Sequence, residues 1–123
     1  MAGSHLTARV VVDNNTGHAL RVEGCGSLFA IALTSGSYHP SVGFPACLQI
    51  LTVPAGTSTH RVAVLATYLQ CGMDGASRSV PACLPGKQKM PPLPPGRYRA
   101  VLFFGARQFA PAPPPVPVLV TPR

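Results

Sequence analysis

Tryptophan is absent, and acidic residues number three: Asp13, Glu23 and Asp74. Charged residues make up only 11% of the chain, well under the ~25% of ordinary soluble domains. Asp13 and Asp74 sit in predicted turns and Glu23 in a predicted strand, so no two carboxyl groups are placed for glycosidase-type acid/base work. No G-x-S-x-G is present, which removes the usual nucleophile elbow. No C-x-x-C is present either, which removes the common zinc-ribbon spacing. His18, His39 and His60 never fall at i, i+2 or i, i+4, so no adjacent pair of ligands shares one face of an element. Gly24-Cys25-Gly26 lacks the spacing and the following helix of a phosphate loop. No run approaches the ~18 apolar residues of a membrane span. No basic segment followed by an apolar core marks a signal peptide. The expectation is a chain with no catalytic residues, no cofactor, no metal and no membrane span.

Met1-Ala2-Gly3-Ser4-His5 reads as an expression-tag remnant, with native sequence from Leu6 or Thr7 and a single domain over residues 6–123. On that reading a targeting segment was removed in cloning.

Turn formers and cysteine are plentiful. Fifteen prolines and twelve glycines in 123 residues punctuate short Val/Ile/Leu/Phe runs, the pattern of an all-β domain and not of a disordered chain. Cys25, Cys47, Cys71 and Cys83 in a small turn-rich chain fit two disulfides and an oxidising compartment. Three pairings are possible; Cys25–Cys47 and Cys71–Cys83 close the shortest loops. Export, to the medium or the cell envelope, is inferred from these cysteines alone.

Ten basic residues give a formal charge of +7, which favours anionic partners. They are scattered, with a looser group at Lys87, Lys89, Arg97, Arg99 and Arg107. Nucleic-acid modules show a denser stripe with interleaved aromatics, so nucleic acid is not the expected partner. Lys87, Lys89, Arg97 and Arg99 are instead the candidate cationic patch, for an anionic envelope component.

Along the chain, residues 6–12 alternate as a first strand, residues 13–17 form an Asp/Asn/Gly turn, and 19–25 form a second strand. Gly24 and Gly26 flank Cys25, which suits a bulge or a close backbone approach there. Residues 27–34 suit a third strand, buried on both sides, with a buried helical turn as the alternative, and 47–53 a fourth. After the turn at Pro54-Ala55-Gly56, residues 58–70 form a fifth, with His60, Val62, Val64, Ala66 and Tyr68 on one face. Residues 72–95 show no strand pattern, which marks a functional or flexible loop. Pro94-Pro95-Gly96 then feeds a central strand with Tyr98, Ala100, Leu102 and Phe104 on one face. Residues 110–115 form an extended proline-rich connection. The last strand, 116–121, is confined to an edge by Pro117. About seven short antiparallel strands with two disulfides suggest an immunoglobulin-like β-sandwich. Asn14-Asn15-Thr16 fits the N-glycosylation pattern and reads as a plain turn.

The Asn-Thr-Gly turn, the Pro-x-Gly turn at Pro54-Ala55-Gly56 and the run Leu93-Pro94-Pro95-Gly96-Arg97-Tyr98 occur in an order that resembles small bacterial immunoglobulin-like domains. These include the BsuPI type of proteinase-inhibitor domain. The cysteines and the Ala/Pro/Gly/Val usage are similar to exported actinobacterial versions, although the family pattern lacks this cysteine set. The resemblance spans most of residues 10–121 and implies a fold more than a function.

One local motif carries a sharper idea. Ser77-Arg78-Ser79-Val80-Pro81-Ala82-Cys83 is similar to the Bowman–Birk inhibitory loop, with Arg78 as the pocket residue and Arg78–Ser79 as the reactive bond. A disulfide and a proline past that bond lower the ordering cost of binding. Arg78, Ser79, Val80 and Pro81 are therefore the candidate binding loop. The first expectation remains a non-enzymatic, secreted or envelope-associated binding or accessory domain for an unknown protein or an anionic envelope component. A proteinase inhibitor is the alternative, and a small enzyme comes last. Tyr38 and Phe44 could line a binding edge or lid the core.

Overall fold

The computed structural model describes residues 1–40, 42, 49–71, 81–84 and 90–122, the side chain of Cys25 excepted. All regular elements among them are strands: β1 (His5–Asn14), β2 (Leu20–Thr34), β3 (Gln49–Val53), β4 (Gly56–Leu65), β5 (Gly96–Ala106) and β6 (Val116–Val120). They form two antiparallel sheets, β1-β4 and β3-β2-β5-β6. Among the described residues no helix is long and apolar enough to cross a membrane.

In the two-stranded sheet the two-residue period decides which side chains turn inward. Ala8, Val10, Val12 and Asn14 of β1 are covered, whereas Arg9, Val11 and Asp13 are exposed. On β4 the covered set is His60, Val62 and Val64, the face expected from sequence. The β1–β4 register runs unbroken from His5↔Leu65 to Asn14↔Gly56.

The expected second and third strands are one. β2 passes through a bulge, its register with β5 shifting between Gly24↔Ala106 and Phe29↔Phe104. Glycine makes this possible. A Cβ on Gly24 would lie 2.5 Å from the Ala106 Cβ, and Gly26 takes φ 78°, a left-handed backbone that side chains disfavour. The glycines flanking Cys25 mark the bulge and close approach expected there, but inside one continuous strand, so the described residues form six strands where seven were expected. β5 is central as expected, between β2 and β6. β6 is an edge, and Pro117 sits where no ladder N–H is needed.

The core joins Leu33, Val64, Leu93, Tyr98 and Val120. Leu93 is 1% exposed, and burying such a side chain contributes roughly 1.5–3 kcal/mol. It lies in the stretch that shows no strand pattern. Its backbone N–H donates to Ala66 O at 2.9 Å, and Tyr68 N–H donates to Pro91 O at 3.0 Å. The end of that segment is thus laced to residues 66–68, and β4 ends at Leu65 instead of running to residue 70. Residues 1–5 pack with the rest: Ala2 is buried, and its N–H donates to Thr121 O at 2.8 Å.

Asn14 is the buried polar hub, 5% exposed. Its Nδ2 donates to the carbonyls of His18 (2.9 Å) and Pro54 (3.0 Å), with Val53 O at 3.3 Å. Its Oδ1 accepts from Thr16 N–H at 3.1 Å. One side chain so ties the β1–β2 turn to the β3–β4 turn. The Asn14-Asn15-Thr16 triplet serves that turn and offers no free amide for a glycan.

Of the two expected disulfides, Cys71–Cys83 is formed, with Cα atoms 4.8 Å apart. The Cys25–Cys47 pairing lies outside the described residues.

Candidate functional site

Arg97 and Arg99 occupy alternate positions on β5, so both leave the sheet on the face opposite Tyr98. The register Thr34↔Arg99 sets Arg99 beside the end of β2. There the chain turns back on itself: Ser35 N–H donates to Tyr38 O at 2.9 Å, and Tyr38 N–H to Ser35 O at 3.3 Å. The turn carries Ser35, Gly36 and His39 to the two arginines. Together they line an open depression of 550 Å³, with Pro117 of β6 also on its wall.

No carboxylate lines this depression among the described residues. Guanidinium groups stay protonated at any pH the fold experiences and present a planar fork of donors. Two of them at i, i+2 stand about 7 Å apart along a strand, near enough to share one anion or to hold successive anions of a polymer. His39 adds a ring N–H that can donate to an anion. The arrangement suits carboxylate, sulfate or phosphate groups, held by charge-assisted hydrogen bonds.

Three tyrosines brace this end of the molecule. Tyr98 Oη donates to Pro94 O at 2.7 Å, and Tyr38 Oη accepts from Leu69 N–H at 3.1 Å. The Tyr38 and Tyr68 rings meet edge-to-face with centroids 5.1 Å apart. Burial pushes the Tyr38 hydroxyl above its usual 10.0, against the lowering effect of the Leu69 N–H. Burial likewise raises Tyr98, helped by Tyr68 and Tyr38. Tyr38 packs on the core and so holds the turn that presents His39. It acts as a packing lid.

Arg78, Ser79 and Val80 lie outside the described residues, as do Lys87, Lys89, Phe44 and Cys47. Pro81 is half-buried beside the Cys71–Cys83 bridge. His60 Nε2 lies 2.9 Å from Ser58 Oγ, a serine–histidine contact to which the described residues add no carboxylate. Its ring stands edge-on to Phe29, centroids 5.5 Å apart, within an aromatic group completed by Phe104 and Phe109. The ring packs against these aromatics and also lines an open depression of 720 Å³ beside Arg61. Among the described residues no group of three His, Cys, Asp or Glu could hold a metal ion.

Sequence reasoning found Arg97 and Arg99 but not their companions Ser35, Gly36 and His39. The signal was the turn composition Ser35-Gly36-Ser37, uninformative until the β2–β5 register sets it beside Arg99. Comparison of the chain with family models, with curated proteins and with solved structures finds no match in any of the three.

Proposed function

We propose that this chain is an exported, non-enzymatic binding module of immunoglobulin-like type that holds an anionic polymer of the cell envelope or its surroundings. The observation that carries this reading is the depression where Arg97, Arg99 and His39 converge with no carboxylate among its described lining. The formal charge of +7 adds long-range attraction for the same class of partner. The immunoglobulin-like assignment is supported by two antiparallel sheets and by Tyr98, near the start of β5, bonded to the backbone four residues upstream. That contact resembles the tyrosine corner of such domains. The Cys71–Cys83 bridge supports export.

The test is titration with dextran sulfate and polyglutamate, with neutral dextran as control. Binding to the anionic polymers alone, weakening with salt and lost with Arg97 and Arg99, is the expected result.

The same bridge favours one second reading, a proteinase inhibitor that presents Arg78 to a trypsin-like enzyme. Incubation with trypsin separates the two: stoichiometric inhibition supports it, and rapid cleavage after Arg78 without inhibition removes it.

A further inference from the structure

β1 pairs with β4 along one edge, and among the described residues no strand pairs with the other. Ala66 N–H donates to Ser4 O at 2.9 Å, and antiparallel ladder bonds alternate in direction. Even-numbered positions of β1 therefore turn their backbone groups toward β4, while Thr7, Arg9 and Val11 turn theirs to the open side. Among the described residues no proline or bulge interrupts this edge as Pro117 does β6. The ten-residue strand contains no proline, its register is unbroken, and Val11 is 62% exposed.

The open side overlooks an apolar cleft. The two sheets share the core of Leu33, Val64, Tyr98 and Val120; with two strands against four, part of the larger sheet's inner face has no strand above it among the described residues. A cleft of 380 Å³ lies there, lined by Ile31, Ala100 and Leu102 of that sheet and by Pro113, Pro114 and Val116 of the segment entering β6. A second hollow of 190 Å³, lined also by Asp13, shares Val10, Val11, Leu102 and Pro113 with the first, so an acidic side chain fits the Arg9 end of the groove and not the Asp13 end. Arg9 is the one charged residue lining the larger cleft.

We propose that this cleft is a strand-acceptor groove, taking an extended segment of another protein with alternating apolar side chains and an acidic residue opposite Arg9. The edge of β1 supplies ladder hydrogen bonds, and the cleft receives every second side chain, as in β-strand addition generally. Three occupants compete. An acyl chain would cover the outward N–H and C=O groups of Thr7, Arg9 and Val11 without bonding them, and each buried unbonded group costs free energy. A second copy would bring another +7 charge and a whole sheet to a space bounded by Pro113 and Pro114. An extended acidic segment bonds the edge, fills the cleft and is attracted by the net charge.

The test uses a capped octapeptide alternating Val with Thr and carrying one Asp, a version N-methylated at every second residue, and sodium dodecanoate. The expected result is saturable binding that slows amide exchange at Thr7, Arg9 and Val11 by about tenfold or more. N-methylation should weaken binding about tenfold through lost ladder bonds. The exposed Arg9→Glu change should shift preference from the Asp peptide to its Lys counterpart by about fivefold at most. Removing Arg97 and Arg99 should leave this binding intact, which separates the groove from the cationic depression. Absence of peptide binding, equal binding of the N-methylated peptide, or displacement by dodecanoate without protection of those amides overturns the proposal. A dimer in sedimentation whose odd-numbered β1 amides are already protected overturns it as well.

Discussion

Tyr98 donates its hydroxyl proton to the carbonyl oxygen of Pro94 at 2.7 Å, so the turn entering the central strand is fastened by that strand's own side chain. The ring of Tyr98 lies in the core while its oxygen reaches back to the turn. Tyr98→Phe keeps the ring and removes the bond. A loss of about 1 kcal/mol is expected in urea unfolding, small because the exposed Pro94 can turn its carbonyl to water.

The same tyrosines make stability depend on alkaline pH. Folding raises the ionisation of Tyr38 and Tyr98 above the usual 10.0, chiefly through burial. A raised folded pKa means that the stabilising contribution is full below about pH 10 and is lost as pH climbs through the folded value. Absorbance titration at 295 nm should show part of the tyrosine signal ionising above pH 10, and stability should fall over that same window. Tyr98→Phe should make the fall shallower.

Asn14 joins two turns from a buried position, so its loss strands several partners at once. Asn14→Ala should cost about 2–4 kcal/mol, the range for breaking a buried polar network. Asn14→Asp tests the direction of the bonds. A carboxylate cannot donate to the carbonyls of His18 and Pro54, so its deficit should shrink in acid, where a protonated carboxyl donates again. Denaturant midpoints of both variants across pH 4–8 would check this.

The Cys71–Cys83 bridge closes a short loop with a sequence separation of 12. Replacing both cysteines by serine should destabilise by about 2–3 kcal/mol through the freed chain entropy of the unfolded state. The cationic depression is built from other elements, so polymer binding should persist in that variant. Thermal unfolding together with a binding titration measures both effects.

Much of the architecture is legible in the residues, and what is not has identifiable causes. The inward faces of β4 and β5 follow from alternation, and Pro117 marks β6 as an edge. Gly24 and Gly26 announce the bulge, but not that the strand continues through it, because a bulge and a turn call for the same residue. Leu93 hides in a proline-rich stretch because it enters the core from a segment held by isolated hydrogen bonds, which no period announces. The candidate site is half visible. Arg97 and Arg99 stand next but one along a strand, whereas His39 joins them through strand register, a relationship between distant parts of the chain.

The most direct measurement is calorimetric titration of dextran sulfate into the protein and into its Arg97→Ser, Arg99→Ser double variant at 20 to 300 mM salt, values chosen to span the change in screening length. The proposed function predicts steeply salt-dependent binding by the parent and about tenfold or greater loss in the variant, as expected when charge-assisted hydrogen bonds are removed. Equal affinity of parent and variant, or binding indifferent to salt, would contradict it.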